Sequence, residues 1–87
     1  MTPQDASKAA ADICGLAPVI PVLVVDDADI AQDLAKALVA GGLPALEVTL
    51  RTPAALDVIR EMATVAGGVV GAGTLLTPKD VEDAKAA

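Results

Sequence analysis

The sequence predicts an α/β fold in which strand–helix units wind into one parallel sheet. Apolar runs of strand length recur at Pro18–Val25, Ala45–Leu50 and Val69–Gly73, rich in Val, Leu and Ile. The first, continuous and β-branched, reads as a strand buried on both faces, the habit of parallel sheets. Each run is followed by a helix opener and a helical stretch. Punctuation also repeats: Thr52-Pro53 recurs as Thr77-Pro78, and Gly41-Gly42 as Gly67-Gly68. The interval is the size of one β/α unit. Strands alternating with helices imply right-handed crossovers in a parallel sheet. An open doubly wound sheet and a (β/α)8 barrel both fit, and three strands complete neither.

The elements follow in order. Thr2-Pro3-Gln4-Asp5 opens a leading helix, with Thr as N-cap, Pro at the first helical position and Asp in the first turn. It ends near Cys14-Gly15, where Gly is available for a left-handed cap. The first strand is Pro18–Val25, weakened by Pro21, which cannot donate to a ladder. Asp26 or Asp27 caps the second helix, whose inner stripe is Ile30, Leu34 and Leu38. Gly41-Gly42 stops it. The second strand, Ala45–Leu50, leads to a third helix opened by Thr52-Pro53 and lined by Leu56, Ile59 and Ala63. The third strand is Val69–Gly73. Thr77-Pro78-Lys79-Asp80 opens a last helix that runs to the end.

Composition narrows the function classes. The chain has 87 residues, 54% of them apolar, with no Phe, Tyr or Trp. A chain of this length buries only about 60–65% of its unfolded surface, so its core is marginal. Net charge is −6 with no basic cluster, which argues against a nucleic-acid partner. No apolar run approaches the roughly 18 residues of a membrane span, and the N-terminus lacks a basic leader region. The single cysteine, Cys14, cannot form an internal disulfide, which fits a reduced, cytoplasmic setting. The absence of His removes His-based metal sites and Ser–His chemistry from this chain.

The chemistry concentrates in Leu46-Glu47-Val48-Thr49-Leu50-Arg51-Thr52. Side chains alternate along a strand, so Glu47, Thr49 and Arg51 share one face while Leu46, Val48 and Leu50 share the other. The leucines and the valine face the helices, so Glu47 faces the sheet's other side or its rim. A carboxylate there is costly unless paired or used. A structural pair with Arg51 is the bland explanation, but four extended residues span about 13 Å. The functional explanation is a proton-transfer carboxylate near the C-terminal ends of the strands, where barrel active sites are built. Gly71-Ala72-Gly73-Thr74 closes the third strand at the same end. Its glycines allow close approach of a ligand, and Thr74 offers a hydroxyl. Asp26 and Asp27 read as caps. Lys8, Lys36, Lys79 and Lys85 all fall on helices, none placed as a Schiff-base lysine inside a barrel.

Four stretches together resemble a known family: Pro18-Val19-Ile20-Pro21-Val22, Ala37–Gly42, Leu46–Thr52 and Val70-Gly71-Ala72-Gly73-Thr74. They resemble the 2-keto-3-deoxy-6-phosphogluconate (KDPG) and 4-hydroxy-2-oxoglutarate (KHG) aldolases, from about Leu16 onward. The resemblance implies a TIM barrel preceded by a short helix, assembled as a homotrimer. Residues 1–15 are then the leading helix, and 16–87 the first three β/α units of a single domain. It implies class I cleavage of KDPG or 4-hydroxy-2-oxoglutarate to pyruvate and an aldehyde, through a Schiff-base lysine and without metal. In that reading Glu47 moves protons, while Arg51, Thr74 and Gly73 contact the 2-keto acid. Val25 ends the first strand where galactonate-type relatives often carry arginine, and Arg51 is kept, so the chain looks like the gluconate type. The family's Schiff-base lysine lies further along than Ala87, so this chain alone is expected to be inactive. Two alternatives stand beside this: a non-catalytic β/α piece that self-associates through open strand edges, and another phosphosugar barrel sharing Gly-Ala-Gly-Thr.

Overall fold

Two helices open on the devices the sequence offers for them. The structure, a computed structural model, describes all residues from Met1 to Ala87. In α1 (Pro3–Cys14) the Thr2 hydroxyl accepts from the Asp5 N–H at 3.1 Å, and the Asp5 carboxylate accepts from the Thr2 N–H at 3.1 Å. Thr77 and Asp80 repeat this reciprocal cap at α4 (Pro78–Ala86). Gly15 departs from expectation. Its φ is −82°, so α1 ends without a left-handed residue, and the Gly15 N–H closes onto the Ala11 and Asp12 carbonyls.

Three parallel strands, β1 (Val22–Leu23), β2 (Ala45–Thr49) and β3 (Val69–Gly73), form a sheet in the order β1-β2-β3. Glu47 lies opposite Val22 and Gly71, and Val48 opposite Leu23 and Ala72. The central strand is the only one paired on both sides. β1 is far shorter than the apolar run Pro18–Val25. Pro18 and Pro21 lack an N–H, and an edge position leaves the rest of the run with no second neighbour. The Pro21 carbonyl still accepts from the Glu47 N–H at 3.0 Å.

Between β1 and β2, a 3-10 turn (Ala28–Ile30) precedes α2 (Ala31–Ala40). Asp27 caps that turn by accepting from the Asp29 N–H at 2.9 Å, which settles the choice between the two aspartates. Ile30 therefore lies in the turn and is exposed. Ala31 and Ala35 are the fully buried residues of α2, with Leu34 and Leu38 packed half-buried beside them. The methyl side chains let the helix approach the sheet closely, and the leucines fill the flanks.

The third helix shows the same kind of rotation. Its expected stripe, Leu56, Ile59 and Ala63, assumed that Thr52 is the cap. Instead α3 spans Ala55–Met62 and its N-cap, Ala54, makes no side-chain cap bond. The buried stripe is Ala55, Val58, Ile59 and Met62, the i, i+3, i+4, i+7 face of that helix. Leu56 is half-buried and Ala63 exposed.

Leu46 and Val48 from β2 meet α2, α3, Val25 and Val65 in one core, with Leu23, Leu50, Val70 and Ala72 against it. This face of the sheet is the one covered by α2 and α3. Only 12 of 87 residues are buried, so single core contacts weigh heavily on stability. Met62 is fully enclosed, whereas Leu56 is not. Met62→Ala is expected to cost about 2–5 kcal/mol, and Leu56→Ala clearly less, in urea unfolding followed by circular dichroism. Equal losses would put the packing stripe back where periodicity alone first placed it.

Candidate functional site

The sheet's second face begins with the same pleat that builds the core. If Leu46 and Val48 point into the helices, Ala45, Glu47 and Thr49 point away from them. By register their neighbours on this face are Val22 from β1 and Val69, Gly71 and Gly73 from β3. The two glycines supply no side chain, so Glu47 stands in a low strip of the sheet.

The strip has a closed end and an open end. Toward the N-terminal ends of the strands, Ala10, Ile13 and Cys14 of α1, together with Ile20, face Ala45, Val69 and Glu47 across an apolar cavity of about 220 Å³. Helix α1 buries none of its own residues. The strand lining of that cavity runs over Ala45–Glu47 and Val69–Ala72 and leaves out Thr49 and Gly73, the last residues of β2 and β3. Glu47 leans toward the C-terminal ends of the strands. Its register partner is Gly71, yet its carboxylate rests on Gly73, two residues further along.

Two threonines brace the rim. The Thr49 hydroxyl donates to the Leu23 carbonyl at 3.0 Å, and the Thr52 hydroxyl donates to the Val25 carbonyl at 2.8 Å. Thr49 is 5% exposed, and this bond satisfies a hydroxyl that would otherwise be costly to bury. Both bonds hold the end of β1 against β2, where the backbone ladder has stopped. The sequence reading missed both roles, taking Thr52 for a helix cap and giving Thr49 no partner. The available signal was a pair of hydroxyl residues at the end of a central strand, beside an edge strand interrupted by proline.

The remaining expected residues are spread along the same rim. Arg51 is exposed, two residues past β2, and makes no hydrogen bond or ion pair. The structural Glu47–Arg51 pair is therefore not formed. Thr74 follows β3 directly and takes φ +61°, the one non-glycine residue with positive φ. For a β-branched residue this is a genuine outlier, costing about 1–3 kcal/mol. Such strain persists where surrounding structure imposes it, and it clusters at functional sites. All four lysines are exposed on helices. Lys8 pairs with Asp12 at 3.0 Å and Lys79 with Asp83 at 2.7 Å. The Lys79 ammonium is held above its ordinary pKa by its hydrogen bond to Asp83, then by the charges of Asp83 and Asp80. None of the four makes an ion pair or hydrogen bond with Glu47. No group of three or more acidic or sulfur ligands is arranged to hold a metal ion, and no helix is long and apolar enough to cross a membrane.

Comparison with known proteins gives this rim a context. The family model described as KDPG and KHG aldolase matches residues 10–87. The chain belongs to the KDPG and KHG aldolase family. A 2-dehydro-3-deoxy-phosphogluconate aldolase of Zymomonas mobilis is 58% identical over 72 residues, covering 83% of this chain and 35% of that protein. The crystal structure of Zymomonas mobilis KDPG aldolase superposes with a TM-score of 0.84 at 54% identity, over 87% of this chain and 37% of that one. The Legionella pneumophila KDPG aldolase, solved with pyruvate captured at low pH as a covalent carbinolamine intermediate, gives 0.78 at 43% identity, over 85% of this chain and 36% of that one. This chain thus spans about a third of the length of the aldolases it matches. Of the two architectures left open by the strand pattern, the superposition selects the TIM barrel, of which this chain carries a leading helix and three parallel strands with their helices.

The strain at Thr74 has a measurable consequence. Glycine adopts positive φ without steric cost, though it loses about 0.5–1 kcal/mol through backbone entropy. Thr74→Gly is expected to keep or raise the melting temperature, read by differential scanning fluorimetry. A clear drop would mean that the threonine side chain, rather than the fold around it, stabilises the left-handed conformation.

Proposed function

We propose that this chain supplies the proton-transfer and carboxylate-binding half of a class I aldolase site. The full barrel would cleave KDPG, 4-hydroxy-2-oxoglutarate or both to pyruvate and an aldehyde. The observation that carries this reading is the Glu47 carboxylate leaning over Gly73 at the C-terminal end of the strands. The family assignment and the active-site convention of TIM barrels support it. Localisation in the cytoplasm, a homotrimeric parent and independence from metals or other cofactors belong to the same proposal. So does a small 2-keto acid, rather than nucleic acid or membrane, as the ligand.

In a class I mechanism a lysine amine adds to the substrate's keto carbon, and the resulting carbinolamine loses water to give an iminium. A carboxylic acid beside it donates the proton that lets hydroxide leave as water. The carboxylate so formed then takes the proton of the C4 hydroxyl. The C3–C4 bond breaks, an aldehyde departs, and the bonding pair enters the iminium to give an enamine. Glu47 is the one carboxylate on this face of the sheet, and we assign both transfers to it. Arg51 and Thr74 stand at the same rim to receive the substrate carboxylate, the arginine as a planar two-pronged donor. The open space for the 2-keto acid to approach the strand lies over Gly71, since the Glu47 carboxylate rests on Gly73. The lysine lies outside this chain in the proposal, since all four lysines present sit on exposed helical positions.

The test is a chimeric barrel in which residues 10–87 replace the matching segment of the Zymomonas mobilis enzyme. It is expected to release pyruvate from KDPG. Glu47→Gln in the chimera is expected to lower kcat by about 10²–10⁴-fold, the usual loss on removing a general acid–base group, with the fold retained. Near-normal turnover would make Glu47 structural. The 87-residue chain alone is expected to resist trapping by borohydride with pyruvate. Stoichiometric labelling of Lys36 or any other lysine would overturn the placement of the nucleophile.

A second reading concerns the behaviour of the isolated chain, and the β1 edge favours it. Val19, Val22 and Val24 are 57%, 62% and 59% exposed along the run Pro18–Val25, whose strand β1 has one open side. The open edge of β3 lies opposite. Unpaired edges beside apolar side chains favour pairing with another copy. Light scattering at micromolar concentration is expected to show a homo-oligomer. A monodisperse monomer with cooperative melting would show that three units protect their own edges.

A further inference from the structure

We infer that Gly73 is a positioning residue for Glu47: its missing side chain is the space that the Glu47 carboxylate occupies. A Cβ placed on Gly73 would lie 2.7 Å from Glu47 Cδ, 2.8 Å from Oε2 and 3.1 Å from Oε1. The three nearest atoms all belong to that one carboxylate. Nothing in the backbone asks for glycine here, because Gly73 lies outside the left-handed region that Gly42 and Gly67 occupy. Nor can the strand retreat easily, since the Gly73 carbonyl accepts from the Leu50 N–H at 2.9 Å.

Gly71 sharpens the point. It lies on the same face, directly opposite Glu47 in the register, and a Cβ there would meet nothing within 4 Å. The carboxylate has therefore passed over the free position beside it and settled on Gly73. Filling position 73 leaves Glu47 one cheap response, which is to swing its flexible end off the strand. The chain would still fold, but the proton-transfer group would stand away from the reacting atoms. Shortening the acid by one methylene should restore the clearance.

The kinetic arm rests on the proposed role of Glu47; the folding arm does not. In the chimeric barrel, Gly73→Ala is expected to lower kcat on the order of 10²-fold, as for misplacement by about 1 Å, while KM is unchanged. Glu47→Asp is expected to reduce kcat in the parent chimera and to raise it in the Gly73→Ala background, a sign reversal that a purely structural glycine would not produce. In the Glu47→Ala background, where the clashing atoms are gone, Gly73→Ala is expected to leave the melting temperature at or above that of Glu47→Ala alone. Wild-type kcat in Gly73→Ala, or independent losses from the two substitutions, would overturn the inference. So would a lower melting temperature for Gly73→Ala in the Glu47→Ala background. A chimera that cleaves no KDPG before any substitution would instead overturn the proposed function, and the melting comparison would still decide whether Gly73 and Glu47 share that space.

Discussion

The alternation of side chains along β2 is the constraint on which the rest of the structure depends. One extended segment, Ala45–Thr49, is paired on both sides and must satisfy two environments at once. Leu46 and Val48 go to the helices and form the centre of the core. Ala45, Glu47 and Thr49 are thereby sent to the other face. The pleat leaves no intermediate choice: a slip of one residue would exchange the faces, burying Glu47 among Met62, Val58 and Ile59 and exposing Leu46 and Val48. The cost of a carboxylate in that core secures the register. The position of the candidate acid is thus a consequence of the packing on the opposite side of the sheet, and the fold and the site are specified by the same five residues.

The edge strand shows how this arrangement is kept at low cost in hydrogen bonds. β1 contributes two residues to the ladder, because the prolines around it cannot donate. At its last residue and just past it, two carbonyls are taken up by hydroxyls, Leu23 by Thr49 and Val25 by Thr52. Each net contribution is modest, about 0.5–1.5 kcal/mol. In a chain with so small a core, that is enough to matter for the order of the rim. These bonds also place Val25 under α2 and α3, where it is buried. Side-chain chemistry at the C-terminal end of β2 therefore supports the packing of β1, although it contributes nothing to the regular sheet.

Element order and the faces of β2 were legible in the sequence because each rests on a local rule. Two threonine–proline openers, apolar strand runs and glycine stops are short-range signals. The faces of the helices were less legible, since a stripe depends on the residue at which the helix begins. A turn through Thr52–Ala54 starts α3 at Ala55, and the buried set becomes Ala55, Val58, Ile59 and Met62. Only Ile59 is shared with the periodic pattern counted from Thr52. Thr52 itself had two possible employments, a cap within its own segment or a bond to a carbonyl 27 residues earlier. The second requires the tertiary structure to exist. At the candidate site, Glu47, Arg51, Gly73 and Thr74 could be placed at one rim from strand ends alone. Which of them touch could not, because Glu47 leans two residues along β3 rather than across its own register.

The end of β3 departs from local preference in two adjacent positions, and the departures have different physical content. At Gly73 the backbone is ordinary and the side chain is missing, so the anomaly lies in the space. At Thr74 the side chain is present and the backbone is strained, so the anomaly lies in the conformation. A stability-driven sequence would reverse them, with alanine on the ordinary backbone and glycine on the left-handed one. The order found here has a cost at both positions, in a chain whose core has little stability to spare. Local rules broken without compensation nearby are expected where a site, rather than the fold, sets the residue. The carboxylate of Glu47 accounts for the first departure by filling the vacated space. The second brings a hydroxyl-bearing residue to the rim immediately after the strand, next to the position on which that carboxylate rests.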